Sequence, residues 1–356
     1  MRKKVTAVIS FLILIIIMIV IIACFKTESI VKDESKIQIV ATLFPQYDFA
    51  KQIVGDKANV KLLLNSGVEA HNYEPTAKDM ITITNISDVF LYTGTDLEPW
   101  TESIVQTLEE NNSKIVDVSE NIELIKVEEF EEKFINKEIV NDNNEIHNND
   151  NEIEINNKSN NNSNFTENHN HEHVQEHNHE HEHEHIYDEH IWLNPLNAIK
   201  MIDNILNAIC QIDPENSEYY KSNAENYKNE IVLLNEEIQE IVDNAERKEI
   251  AVGGEFAYAY MVNQYDIKFV SVYNNCGEGE DPSIAKVKSV IDYINKYNMP
   301  AVFYEELSEG TVAKMIAEET EAETLVLYSI HNGDSQKDSY VSLMKKNIEN
   351  LRKGIK

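Results

Sequence analysis

From Ile37 onward the chain is organised by two rhythms of apolar and polar positions. The run IQIVATLFPQYDFAKQIVG opens with a short apolar block, breaks at Pro45 and continues with apolar residues at helical spacing. It predicts a buried strand, a proline turn and an amphipathic helix starting near Gln46. Strand-like blocks recur at 60–64, 89–93 and 114–116, with helical patterns at 76–86 and 99–110 between them. A second series follows later, with strands at 249–253, 268–272, 301–304 and 324–327. Its helices are expected at 256–264, 283–297, 311–319 and 339–353. Strands alternating with helices are the pattern of parallel α/β units. Between the two series lie a helix at 195–212 and the longest helical pattern, about 214–245. Asp213 suits its N-cap, Pro214 its first turn, and Glu215 and Glu218 its positive end. Roughly 31 residues at about 1.5 Å each make a rod of about 47 Å, longer than one domain needs. The expected fold class is α/β, with two lobes, each a mainly parallel sheet with flanking helices, joined by one long rigid helix. No repeat between the two halves is visible in the sequence.

The amino terminus adds a location. Met1, Arg2, Lys3 and Lys4 give a positive start, an apolar run follows over 9–22, and Ile21-Ile22-Ala23-Cys24 closes it. Positive start, apolar run and small residue make a secretory signal. The cysteine at the boundary resembles the bacterial lipoprotein signal, which implies a signal peptide of residues 1–23 and lipidation of Cys24. Several acyl chains give lasting attachment where one gives only marginal binding. The alternative is an uncleaved membrane helix starting near Val5. Either way the remainder lies outside the cytoplasm, and the lipid-anchored reading puts it on the outer face of a bacterial cell membrane.

A third feature interrupts the α/β pattern. Residues 128–185 are dominated by Asn, Glu, Asp and His, and nine of the chain's twelve histidines fall between His147 and His185. The densest part carries His169, His171, His173, His177, His179, His181, His183 and His185. Apolar residues are too sparse there to offset the entropy of ordering, so a disordered acidic, His-rich insert is expected. Neutral imidazole is a strong ligand for zinc and related ions, which makes the insert an accessory metal collector. An inert acidic linker is the plainer alternative.

The formal charge of −32 argues against nucleic acid as partner, because phosphate binding needs a basic face. It suits a protein that attracts cations. Three cysteines are too few for a disulfide scaffold, and Cys24 is taken by the anchor. Cys210, in an apolar helical run, reads as a buried thiol; Cys276 lies in a polar loop. The chain thus divides into signal (1–23), anchor linker (24–35), first lobe (36–213, containing the insert), connecting helix (214–245) and second lobe (246–356). A monomer is expected.

Two histidines stand at element junctions. His71 lies in GVEAHNYEP, after a strand and before a helix, where parallel sheets place their sites. His190 lies in DEHIWLNP, leading into a helix directly after the insert. The pieces ATLFPQYDFAKQIVG, GVEAHNYEPT, DEHIWLNP and SYVSLMKKNIENLRKG, in this order, resemble the zinc and manganese solute-binding proteins of ABC uptake transporters. The resemblance runs from about Ile37 to the C-terminus and spares only the insert. It implies metal held between the lobes and delivered to a membrane permease with its ATPase.

Position by position, His71 and His190 match the family's first two His ligands. The third ligand stands three residues before a Phe, and here that position is Gly253, which cannot coordinate. The fourth falls at His331. Cys276 and, less favoured, Glu255 are local candidates for the missing ligand; Glu305 and Glu306 lie near the cleft but outside the expected set. His71, His190, His331 and Cys276 form that set. Imidazole and thiolate favour Zn2+, with Mn2+ as the alternative, since manganese prefers oxygen ligands.

The function expected is therefore the extracytoplasmic binding component of an ABC importer for zinc, and not an enzyme. A surface adhesin or metal-storage lipoprotein is the alternative. A metallohydrolase is remote: His181 to His185 fits HExxH and His173 to His177 fits HxxEH, but both patterns need a rigid helix that this tract does not promise.

Overall fold

The computed structural model describes residues 35–71, 73–94, 97–127, 186–273 and 282–355. The signal segment, Cys24, the His-rich insert with its eight collector histidines, and Cys276 all lie outside the described residues. Within them the alternating pattern becomes two four-stranded sheets. The first comprises β1 (Ile37–Ala41), β2 (Ala58–Leu62), β3 (Val89–Tyr92) and β4 (Lys114–Asp117), in the order β2-β1-β3-β4. The second comprises β5 (Glu249–Val252), β6 (Lys268–Ser271), β7 (Ala301–Tyr304) and β8 (Glu323–Val326), in the order β6-β5-β7-β8. Every pairing between named strands is parallel. The two halves therefore share one topology, a repeat that their sequences do not display.

Each sheet is covered on both faces, as parallel sheets require. In β1, Ile39 and Ala41 face the main core, whereas Val40 joins Phe90 in a smaller cluster on the opposite face. The main core contains α1 (Phe44–Val54), α4 (Pro195–Ile212), α5 (Ser217–Asn244), α6 (Ala259–Tyr265) and α9 (Tyr340–Gly354). The outer faces are closed by α2 (Ala77–Ile86) and α3 (Glu102–Glu110) on the first sheet. On the second sheet, α7 (Ile284–Tyr297) and α8 (Thr311–Glu318) do the same. Because the inner helices belong to one continuous apolar cluster, the lobes are fused at their backs and not merely tethered.

The connecting helix explains that fusion. A 3-10 turn, Pro214–Asn216, leads into α5. The Asp213 carboxylate accepts from the Tyr220 hydroxyl and the Asn216 side chain and lies against the Asn216 and Glu215 amides, so it holds the start of the 3-10 turn. Along α5 the buried residues Tyr220, Ala224, Tyr227, Ile231, Leu234, Ile238 and Ile241 recur every three or four positions. That spacing keeps one stripe facing the core throughout. Asp48 of α1 pins the arrangement: its carboxylate accepts from the Tyr227 hydroxyl at 2.5 Å, the Tyr340 amide at 2.9 Å and the Gln52 side chain at 3.1 Å. One buried carboxylate thus joins the first lobe, the connecting helix and the second lobe.

Asp48→Ala should strand the Tyr227 hydroxyl and the Tyr340 amide in the core. A loss of about 2–4 kcal/mol in urea unfolding is expected, with Tyr227→Phe costing about 1. Equal, negligible effects of both changes would show that the network is not a structural joint.

Candidate metal site between the lobes

Two loops and one short turn bring three imidazoles together. His71 follows β2, His190 precedes the 3-10 turn Ile191–Leu193, and His331 follows β8. The ring centroids are 5.5 Å apart for His71 and His190, 6.1 Å for His71 and His331, and 6.1 Å for His190 and His331. Two nitrogen ligands at a tetrahedral zinc place their ring centroids about 5 Å apart, given Zn–N bonds of about 2.0–2.1 Å. The trio therefore stands within roughly 1 Å of a closed set. As placed, no group of three or more His, Cys, Asp or Glu among the described residues is close enough to hold a metal ion.

The loop around His331 does most of the assembling. Asn332 reaches across to the His71 loop, donating to the Val68 and Asn65 carbonyls at 2.8 and 3.3 Å and accepting from the Gly67 amide at 2.8 Å. The Phe44 amide donates to the His331 carbonyl at 3.4 Å. Gly333 packs so tightly on the Phe44 ring that a Cβ would fall 2.7 Å from it. Ile330 has φ of 63°, the left-handed region that a β-branched residue rarely adopts. This strain sits immediately before His331 and is held by the contacts around it.

His331 is oriented from behind. Glu306 accepts from the Ser329 amide at 2.8 Å, the Ser329 hydroxyl at 3.1 Å and the Ile330 amide at 3.3 Å. Ser329 Oγ is 2.7 Å from His331 Nδ1. Since the Ser329 hydroxyl proton points to Glu306, Nδ1–H must be the donor to Ser329. Nε2 is left facing the cleft, 3.4 Å from Glu69 Oε1. An outer partner that sets the tautomer in this way is typical of metal-ligating histidines.

His190 is fully buried. Its Nδ1 lies 3.4 Å from Asp188 Oδ1, which also accepts from the His190 amide at 2.9 Å. Trp192, two residues on, donates to the Ser329 carbonyl at 2.7 Å and so ties this turn to the second lobe. Lys126 and Tyr187 form an antiparallel bridge that joins the two flanks of the insert close to His190.

The electrostatics match a cation site. Burial alone would lower both His190 and His331, but Asp188 raises the first and Glu69 the second above the ordinary imidazole value. Burial would raise the Glu69 carboxyl, yet His331 and His71 bring it down to about 2. Glu305 is pushed up to about 8 by burial and by the neighbouring Glu255, Glu69 and Glu306.

Of the residues expected from sequence, His71, His190 and His331 are brought together. Glu255 lies close enough for its charge to act on His331 and Glu305. Cys210 is a free, half-buried thiol in α4, and no disulfide to it exists among the described residues. At Gly253 an added Cβ would meet the Ala313 backbone at 2.8 Å, so a side chain there runs into α8. Glu69, Glu305, Glu306 and Ser329 were outside the expected set. The legible signal was the acidic pair at the carboxyl end of β7, where a parallel sheet places its site.

Fold and cleft together define a two-lobe α/β binding protein with an imidazole-rich site between its sheets. The family of the zinc-uptake complex component A, periplasmic (ZnuA), matches residues 39–354, and the chain belongs to that family. It is 28% identical over 324 residues to the high-affinity zinc uptake system protein ZnuA of Bacillus subtilis, covering 90% of this chain and 88% of that one. It is 26% identical over 348 residues to the zinc-binding lipoprotein AdcA of Streptococcus pneumoniae, covering 97% of this chain but 60% of that longer protein. The crystal structure of the metal-dependent lipoprotein YcdH from Bacillus subtilis superposes with a TM-score of 0.66 at 26% identity, covering 90% of this chain and 99% of the other.

Two outcomes follow from this geometry. Gly253→Ala should lower stability by about 1–3 kcal/mol through overpacking against α8, read as a fall in thermal midpoint. An unchanged midpoint would mean that α8 yields freely. The second concerns pH. His190, His331 and Glu305 all have folded-state pKa values above their unfolded ones, so the native state binds more protons between the two. Their contribution is complete below the unfolded values and is lost as pH rises through the folded ones. In chelator, stability should therefore fall from about pH 5 to about pH 8. Glu69 acts oppositely, losing its contribution only as pH falls from 4.5 towards 2. Saturating zinc should reverse the slope above pH 5, because it needs the deprotonated ligands. A chelator-treated protein that gains stability over this range would contradict the assignment.

Proposed function

We propose that this chain is the extracytoplasmic zinc-binding component of an ABC importer, and not an enzyme. The observation that carries the reading is the trio His71, His190 and His331, held near tetrahedral spacing with one ring nitrogen of His331 aimed into the cleft. Three imidazoles favour zinc over manganese, and the family and its zinc-named relatives support the same choice. The sequence supports lipidation at Cys24 as the means of attachment to the outer face of the membrane. On this reading the domains divide at 36–213, 214–245 and 246–356, and the protein works as a monomer.

The cleft binds zinc by exchanging protons for metal. When the His331 ring is charged, its Nε2 proton faces Glu69 Oε1 at 3.4 Å, and zinc binds the same nitrogen only once that proton has left. Affinity then declines as pH falls and the imidazoles charge. The insert acts as a collector: its flanks meet at the Lys126–Tyr187 bridge beside His190. Tethered ligands present ions at millimolar effective concentration to the cleft. Docking on a permease releases the ion by disturbing the contacts between lobes, above all the clamp of Asn332 on the His71 loop.

Zinc titration calorimetry of the chain, of His71→Ala and of a form lacking residues 141–185 tests this. One tight site should survive loss of the insert and weaken by ~100-fold or more in His71→Ala, since even outer-shell partners are worth 10–100-fold. Tight binding that disappears with the insert and ignores His71 would make the chain a surface metal store and end the transport reading.

A further inference from the structure

The cleft carries four carboxylates, Glu69, Glu255, Glu305 and Glu306, beside its three imidazoles. Glu306 spends its oxygens on Ser329 and Ile330. Glu69 Oε1 accepts from the Ala70 amide at 2.8 Å and the His71 amide at 3.4 Å, and faces His331. Glu305 is different. Its residue is only 5% exposed, and its Oε2 is buried with no hydrogen-bond partner among the described residues. The charged groups around it are Glu255, Glu69 and Glu306, with His190 opposing them. An ionised carboxylate oxygen buried without a donor and surrounded by like charge is costly unless a proton or a cation neutralises it.

Its place in the fold supplies a reason. The family resemblance assigns a ligand to the end of β5, and there this chain has Gly253 and Gly254. β7 is the next strand, paired through Ala251 with Val302 and Val252 with Phe303. Glu305 is the first residue beyond β7. A Cβ on Gly254 would lie 3.3 Å from the Tyr304 Cβ and 3.6 Å from the Glu305 amide nitrogen, so the bare glycine lets the end of β7 approach. The ligand lost from one strand end is thus adjacent to a buried carboxylate on its neighbour.

We propose that Glu305 is a zinc ligand of the cleft, supplied from the end of β7 in place of the ligand that Gly253 cannot provide. The assignment rests on the cleft being the zinc site. With His71, His190 and His331 it completes three nitrogens and one oxygen, a four-coordinate set that zinc accepts. Binding zinc discharges the repulsion among the four carboxylates, so the same residue that strains the metal-free cleft contributes to its affinity. Cys276 and Glu255 are the competing fourth ligands.

The test is a competition titration of the full-length chain with zinc and a chromophoric chelator, repeated for Glu305→Gln, Glu255→Gln, Cys276→Ser and His71→Ala. The absorption spectrum of the Co2+ form and the melting temperature in chelator at pH 8 are recorded for each. Glu305→Gln should weaken zinc at least ~10-fold, the smallest loss expected when even an outer partner is removed. It should alter the Co2+ spectrum and melt, metal-free, at or above the parent. Glu255→Gln removes the same charge from the same cavity and should weaken zinc less, with the spectrum unchanged. Four results overturn the proposal: parental affinity in Glu305→Gln, equal losses in the two glutamate variants, a spectral change confined to Cys276→Ser, or a lowered metal-free melting temperature in Glu305→Gln. If His71→Ala also keeps tight binding, the cleft reading falls with it. If His71→Ala loses tight binding and Glu305→Gln does not, only the assignment of Glu305 is lost.

Discussion

Everything at the cleft depends on the segment Ser329 to Gly333 being clamped between the lobes. Glu306 and Trp192 hold Ser329, Asn332 grips the His71 loop, and Gly333 lies against Phe44. These contacts maintain a strained Ile330 and aim His331 at the other two imidazoles. Without them, His190, His331 and the half-buried His71 would be free to separate, with Glu305 and the half-buried carboxylates beside them. Desolvation and the repulsion of Glu305 by its neighbouring carboxylates favour that separation, while the attraction of Glu69 for His331 and His71 opposes it.

The scaffold opposes it through packing at the back of the molecule. The continuous core of α1, α4, α5, α6 and α9 leaves little freedom for a hinge between the sheets, and Asp48 adds a polar joint among three of those helices. Such a body tolerates a cleft whose side chains are mutually unfavourable. Stability comes from apolar burial far from the site, while the site itself carries strain and uncompensated charge. A bound cation would supply counter-charge to such a site, and the rest of the fold can absorb the strain it carries without one.

The site was legible in part. His71 and His190 stand in motifs at strand-to-helix junctions, and their chemistry is visible without coordinates. His331 needed an alignment across a loop of uncertain length. Glu69 stands two residues before His71, inside a motif already recognised, yet its role depends on a histidine more than 250 positions away. Glu306 and Glu305 are neighbours in different situations, the first holding the backbone behind His331 and the second buried, its Oε2 without a hydrogen-bond partner among the described residues. Alternation along a strand end does not announce which is which. At Gly253 the family resemblance places a ligand that glycine cannot supply, and packing against Ala313 shows why a side chain does not fit there.

Periodicity and punctuation determined the elements, because a strand or helix between two sheets needs its apolar residues on defined faces, and those spacings are local. They also determined that the lobes are parallel α/β units and that a long helix separates them. The identical strand order of the two sheets was decided only by the tertiary structure, since topology constrains where residues are buried and leaves their identities free. So were the carboxylates of the cleft. A charge acquires its meaning from burial and from its neighbours in space, and neither is written in the order of the chain.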